Sequence, residues 1–481
     1  MRNAVRLQCQ QLKKTPKQHS MQAIDQNLFK LKDLEQPVPV DAESPFKIRE
    51  LFFSITDPKS HIQFANDVFI RISKYEQEEI IGQLHKVIRH PDMPRSVFHV
   101  FWEYLLANKP VAAYVKNMAK DGSYYWVMAL AFPCKGGYLS IRLKPSSPLF
   151  HKVKDIYAST LAHEKEAEKL TGKRKAMLSG KESLLTSLQK EGFADYQEFM
   201  WNALQAEMSH REQQIQSLMV TSRKEVDVPP ALLELETVLS ELVLSLEKLK
   251  TLHGGLMSHS DYILNLARSI LLLSLNAQIG SAKLDGEDLS LSVVAEKMGE
   301  QSVDGEEKLI RMKRSIQEFS ELIGTLNFDI ISSKLQVEMT IDFIKELRSK
   351  KNHEFYSFIT PDETQELLFD AFLPNMDRIV TGLGKVSGSM QDLLSGVKTI
   401  ERFLMVLRFI HITGKVEVAR MNDSQNSFST TFQELVTEIE TAESHLTELE
   451  NVVLENKDTV SIYLKLQQRI KKLSEELNFN R

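Results

Sequence analysis

The chain has 481 residues, 42% of them hydrophobic and 26% charged, with a net charge of -5 at pH 7. That composition suits a soluble protein of two to four domains and excludes a general affinity for nucleic acid. Two cysteines, Cys9 and Cys134, cannot build a disulfide framework or a zinc cluster, which fits a reducing cytoplasm.

Residues 1–45 open with Arg2, Arg6, Lys13, Lys14 and Lys17 and carry no acid before Asp25. No apolar stretch follows, so the segment reads as a flexible surface tail and not as a signal peptide. No apolar run reaches the roughly 18 residues that cross a bilayer. The best candidate, "ILLLSLNAQI", contains Asn276 and Gln278, so no membrane span is expected.

Residues 46–143 hold most of the strand-like alternation. "LFFSITD" and "HIQFAN" predict a strand pair joined by "DPKS", and short helical pieces follow. A helix begins near Pro94, with Val97, Phe98, Phe101, Trp102 and Leu105 at helical spacing. Three strands come next, broken by turns at Asp121-Gly122 and Gly136-Gly137. Two strands, a helical middle and three strands is the element order of a PAS domain. Ahead of the Trp102 helix stands the corner "RHPDMP". Pro91 and Pro94 stiffen it and Asp92 is placed to cap the helix, but capping does not account for Arg89 and His90.

"KPSSP" (144–148) reads as a linker, and the chain beyond it is mostly helical. Residues 149–222 predict a charged helical connector. Leu232, Leu235, Leu239, Leu242, Leu246 and Leu249 then repeat at spacings of three and four, a coiled-coil seam.

The stretches "FANDVFIRISKY", "RHPDMP", "VKNMAKDGSYYWV" and "GYLSIR" resemble the PAS domain of bacterial aerotaxis (energy-taxis) receptors over roughly 100 residues. The resemblance implies a non-covalent FAD whose redox state the domain reports. It also implies flavin contacts from Arg89, His90, Asp92, Trp102, Asn117 and Trp126, with His85, Asn66 and Tyr138 as further candidates. The chemistry agrees. Asn117 offers a donor and an acceptor in one amide. Trp102 and Trp126 offer stacking surfaces, and Arg89 and His90 offer charge-assisted donors for phosphate.

Residues 269–302 resemble the cytoplasmic hairpin tip of methyl-accepting chemotaxis proteins, through "LLSLNAQI", "SAK" and "SVVAEKM". The resemblance implies two long antiparallel helices, a homo-oligomer, and contact with a chemotaxis kinase and its coupling adaptor through Leu275, Asn276, Ile279 and Lys283. Gly280 and Lys283 stand where that family usually has a glutamate and an arginine. Residues 279–298 also align without gaps to 416–435, which suggests an internal duplication and adds Glu417 and Arg420 as partner-binding candidates.

The expected fold is therefore an α+β PAS domain followed by an all-α region of long antiparallel helices, a coiled coil or four-helix bundle. One helical hairpin is expected over 231–350 and a second over 360–478. The expected function is a cytoplasmic redox or energy sensor in signal transduction, a flavoprotein acting on chemotaxis or related partners. The alternative is a scaffold protein with a vestigial PAS pocket. No phosphate-binding glycine loop, kinase ATP site or metal-binding cluster is read in the sequence, so no enzyme and no metal site are expected.

Overall fold

The computed structural model describes residue 34 and residues 37–218, 228–282, 289–349, 357–420, 426–455 and 457–479. Most of the N-terminal tail thus lies outside the described residues, as does Lys283. Five strands form one antiparallel sheet: β1 (Phe52–Thr56), β2 (Ile62–Ala65), β3 (Val111–Met118), β4 (Tyr124–Cys134) and β5 (Gly137–Leu143). Their order across the sheet is β2-β1-β5-β4-β3, with β1 beside β5 although they are the first and last strands in the chain. Between β2 and β3 come α1 (Asp67–Ser73), α2 (Gln77–Ile80), a 3-10 turn (His85–Ile88) and α3 (Arg95–Leu106). This is the PAS arrangement that the element order implied. The β3–β4 turn needs Gly122: its φ is +86°, and a Cβ there would meet Val38 O at 2.0 Å.

Strand alternation decides which side chain faces where. On β1, Ser54 and Thr56 face inward under α3, while Phe53 faces the opposite side against Phe64 and Phe343. The tail is ordered at its end. Val40 N donates to Gly122 O, and Ser44 and Ala42 exchange backbone hydrogen bonds with Tyr124.

The "KPSSP" segment is a clamp as well as a link. Ser147 precedes α4 (Pro148–Thr171), and its Oγ donates to the buried Glu207 at 2.7 Å. The Ser146 and Ser147 amides and the Tyr114 hydroxyl donate to the same carboxylate. Glu207 belongs to α6 (Tyr196–Leu218), which follows α5 (Lys173–Lys190). These three helices fold back onto the sheet domain. Phe150 stacks on Tyr114, and the Tyr196 hydroxyl donates to Ala112 O.

Long helices make up the rest: α7 (Pro230–Ala282), α8 (Leu289–Ser349), α9 (Pro361–Arg420), α10 (Asn426–Glu455) and α11 (Lys457–Phe479). Leu232, Leu235, Leu239 and Leu242 of the expected seam are buried; the side chains of Leu246 and Leu249 lie outside the described residues. Among the described residues no helix is long and apolar enough to cross a membrane. The residues between the paired helices of the two aligned segments, 283–288 and 421–425, lie outside the described residues.

The chain divides into two compact units. One holds the sheet domain, the described residues up to Leu244, Asn327–Ile379 and the C-terminal turns from Gln468; the other holds Ser245–Leu326 and Val380–Gln467. Within the first unit α8 packs on the sheet and on α9. Phe343 is fully buried between the rings of Phe53 and Phe64. Pro374 gives α9 no N–H at that position, and the buried Gln336 of α8 donates to the nearby Ala371 O at 3.2 Å while accepting from Asn375 at 3.0 Å.

Candidate functional site

Between the inner face of the sheet and α3 lies a cavity that opens to solvent on one side. Its walls come from alternate positions on the strands: Ser54 and Thr56 on β1, Val115 and Asn117 on β3, Ala129 and Ala131 on β4, and Tyr138, Ser140 and Arg142 on β5. The lid is the apolar face of α3, with Phe98, Phe101, Trp102 and Leu105. Trp102 meets Tyr138 edge to face at 5.3 Å.

At the base sits a buried charge. Arg142 is only 2% exposed, and its guanidinium donates to Ser140 O and Ser54 Oγ and meets His85 Nε2. It also lies over the Phe52 and Phe69 rings. Among the described residues no carboxylate pairs with it. Burial pulls its pKa down to about 10, so the guanidinium stays charged at neutral pH. His85 pays the larger shift: burial, then the Arg142 charge, push it down to about 3, so its ring is neutral. On the same face of the sheet the Tyr125 hydroxyl is buried without a hydrogen-bond partner among the described residues.

Of the residues singled out in the sequence, Arg89, Trp102, Asn117, His85 and Tyr138 come together around this cavity. Asn117 is a strand residue, 3% exposed, bridged through the backbone to Arg89. Arg89 lies over the Phe98 ring at 4.1 Å and donates to Met93 O; burial lowers its pKa. With Lys86 it also lines an adjoining cleft, which continues past His90 and Arg95 to Lys165.

The other candidates lie off the cavity. Trp126 is on the outer face of β4, against Phe150 and Tyr157, because it pairs with Lys116 and not with Asn117. Asn66 caps α1, its Oδ1 accepting from the Phe53 and Phe69 amides. His90 turns into the adjoining cleft, where its Nδ1 accepts from Asp92 N. Asp92 does not cap α3. It is exposed and ion-paired to Lys116 at 2.6 Å. The cap comes from Glu164 of α4, whose two oxygens accept from the Arg95 and Ser96 amides at 2.9 and 2.8 Å. Glu164 is 3% exposed and stands against Gly180, where any Cβ would meet its Cγ at 2.4 Å and its Oε1 at 2.6 Å.

Sequence reading passed over Arg142. Its signal was available: it sits two and four residues past Ser140 and Tyr138, a cation on the inward period of a strand. On the helical candidates, Leu275, Asn276 and Ile279 are exposed along α7. Glu417 and Arg420 pair with each other on α9 at 2.9 Å.

The PAS fold family matches residues 62–137. The aerotaxis receptor of Escherichia coli (strain K12) is 36% identical over 126 residues, a quarter of this chain and a quarter of that receptor. The nitrogen fixation regulatory protein of Klebsiella pneumoniae is 30% identical over 74 residues, 15% of each chain. The dark structure of the blue-light photoreceptor Aureochrome1 LOV is 21% identical and covers 24% of this chain and 86% of its own, with a TM-score of 0.19.

Proposed function

We propose that the PAS domain of this chain holds FAD in the cavity under α3 and that the protein is a cytoplasmic redox or energy sensor. The observation that carries the reading is the buried Arg142, a charge facing the cavity that no carboxylate pairs with among the described residues. An isolated buried cation is costly, so its natural complement is an electron-rich ligand edge. The residues around it fit a flavin. Arg142 and Asn117 offer donors and an acceptor for the polar edge of the ring system. Trp102, Phe98, Phe101 and Tyr138 offer apolar walls for its faces. Lys86 and Arg89 stand where cavity and cleft adjoin, as a pyrophosphate would require. A bound flavin would supply electron exchange together with a change of charge and protonation at that edge.

The protein's part is to make two conformations differ in how well they hold each form of the ligand. Ser54 and Thr56 line the cavity, and between them in the strand Phe53 and Ile55 face the other way. Phe53 meets Phe343 of α8. A shift of β1 at the cavity therefore acts on α8 through one strand's thickness. The exposed Leu275 and Ile279 of α7 are the surface we assign to a partner of the chemotaxis kinase or adaptor class.

The purified full-length chain should show an oxidised-flavin spectrum and release FAD on denaturation. Arg142→Ala and Asn117→Ala should lower occupancy at least tenfold, while Trp126→Phe, on the outer face, should leave it unchanged. A colourless protein that takes up no added FAD would leave the scaffold reading in its place.

A further inference from the structure

Three side chains in the second unit converge without a role in the sheet domain. His259 lies on α7 and is 8% exposed; His445 and Glu448 lie on α10, three residues apart and so on one helical face. The two Nδ1 atoms are 3.0 Å apart, and His259 Nε2 is 3.7 Å from Glu448 Oε2. One ring nitrogen of each histidine and a Glu448 oxygen all lie within 4.8 Å of one another. We propose that His259, His445 and Glu448 bind one divalent transition-metal ion, of the zinc, nickel, cobalt or copper class, and that the ion staples α7 to α10.

The donor set selects the class of ion. Two imidazoles and one carboxylate suit borderline transition metals and not the all-oxygen demands of calcium or magnesium. A tetrahedral ion with bonds of about 2.0–2.1 Å holds its ligands roughly 3.3 Å apart; the two Nδ1 atoms already stand near that spacing, and Glu448 closes on the ion from within the 4.8 Å that encloses one donor atom of each residue. Tyr262 stacks on the His445 ring at 3.9 Å and 22°, and its hydroxyl donates to Glu438 O. That contact fixes the ring plane, the part an outer shell plays at metal sites. Glu448 is exposed, which gives the ion a route in and leaves a coordination position for water.

The test uses tag-free, full-length protein stripped with a chelator. Titration with Co2+, followed in the visible spectrum, and with Zn2+ by calorimetry should give one ion per chain. His259→Gln or His445→Gln should weaken binding about 100-fold or more, since even an outer-shell loss costs roughly 10–100-fold. Glu448→Gln should weaken it about tenfold. Zinc should raise the unfolding temperature of the unchanged protein and not of the double histidine variant, whose helix content serves as the check on folding. Absent binding, or binding undiminished in the folded double variant, overturns the proposal and leaves the pair as two neutral rings sharing one hydrogen bond.

Discussion

The two faces of the PAS sheet obey opposite rules although the same strands build both. The inner face carries Ser54, Thr56, Asn117, Ser140 and Arg142 around a cavity, whereas the outer face carries Phe53, Ile55, Tyr114, Leu139 and Ile141. Adjacent residues therefore serve different ends. Apolar outer positions seat helices and stabilise; polar inner positions cost stability unless something completes them. Under the proposed reading, the cost of the polar inner face is offset when FAD is bound.

The largest effect should come from breaking the outer face. Phe343→Ala removes a fully buried ring that touches Phe53 and Phe64, and should cost about 3–5 kcal/mol in urea unfolding. The three tryptophans, Trp102, Trp126 and Trp201, all lie in the unit that holds the sheet, so their fluorescence reports this transition. FAD uptake by the folded fraction should be unchanged. Lost uptake with a normal transition would mean that the two faces do not divide the work as described.

On the inner face the sharper handle is pH. His85 has its folded pKa pushed down to about 3, below the ordinary value of about 6.5. Between those values the unfolded chain binds a proton that the folded chain does not. Stability therefore falls as pH drops below about 6.5, by up to roughly 1.4 kcal/mol per unit, and levels off only near 3. His85→Gln should remove about 2 kcal/mol of the loss between pH 6 and 4.5. An unaltered slope in urea titrations of the ligand-free protein would show that His85 is not held neutral.

The smallest effects should separate the two carboxylates near α3. Glu164→Ala orphans two buried amide donors and should cost about 1–3 kcal/mol. Asp92→Ala breaks an exposed pair with Lys116 and should cost under about 1 kcal/mol. Equal costs would restore Asp92 as a cap.

These two residues also show where sequence reading reaches and where it stops. The five strands were legible because alternation and the glycine turns at Gly122 and Gly136 are local signals. Local spacing offers Asp92 as a cap; the true cap, Glu164, arrives from a helix about seventy residues later, which no local pattern encodes. Trp126 was lost to a parity error. Asn117 pairs with Tyr125, so its neighbour must point away, and only the register says so. Arg142 went unread because a lone arginine in a strand looks like surface until the topology places β5 in the middle of the sheet.

The Gln336 clip has a mechanical consequence. Its amide is fully buried and is satisfied at both ends by α9, giving to Ala371 O and taking from Asn375. A helix advances 1.5 Å per residue, so a slide of α8 by even one residue would pull both bonds out of range and strand a polar group among apolar ones. The amide works as a key in a slot. Only seven residues separate it from Phe343 in sequence, so a piston stroke begun at the sheet meets a stop at once, and α8 and α9 travel there as one piece.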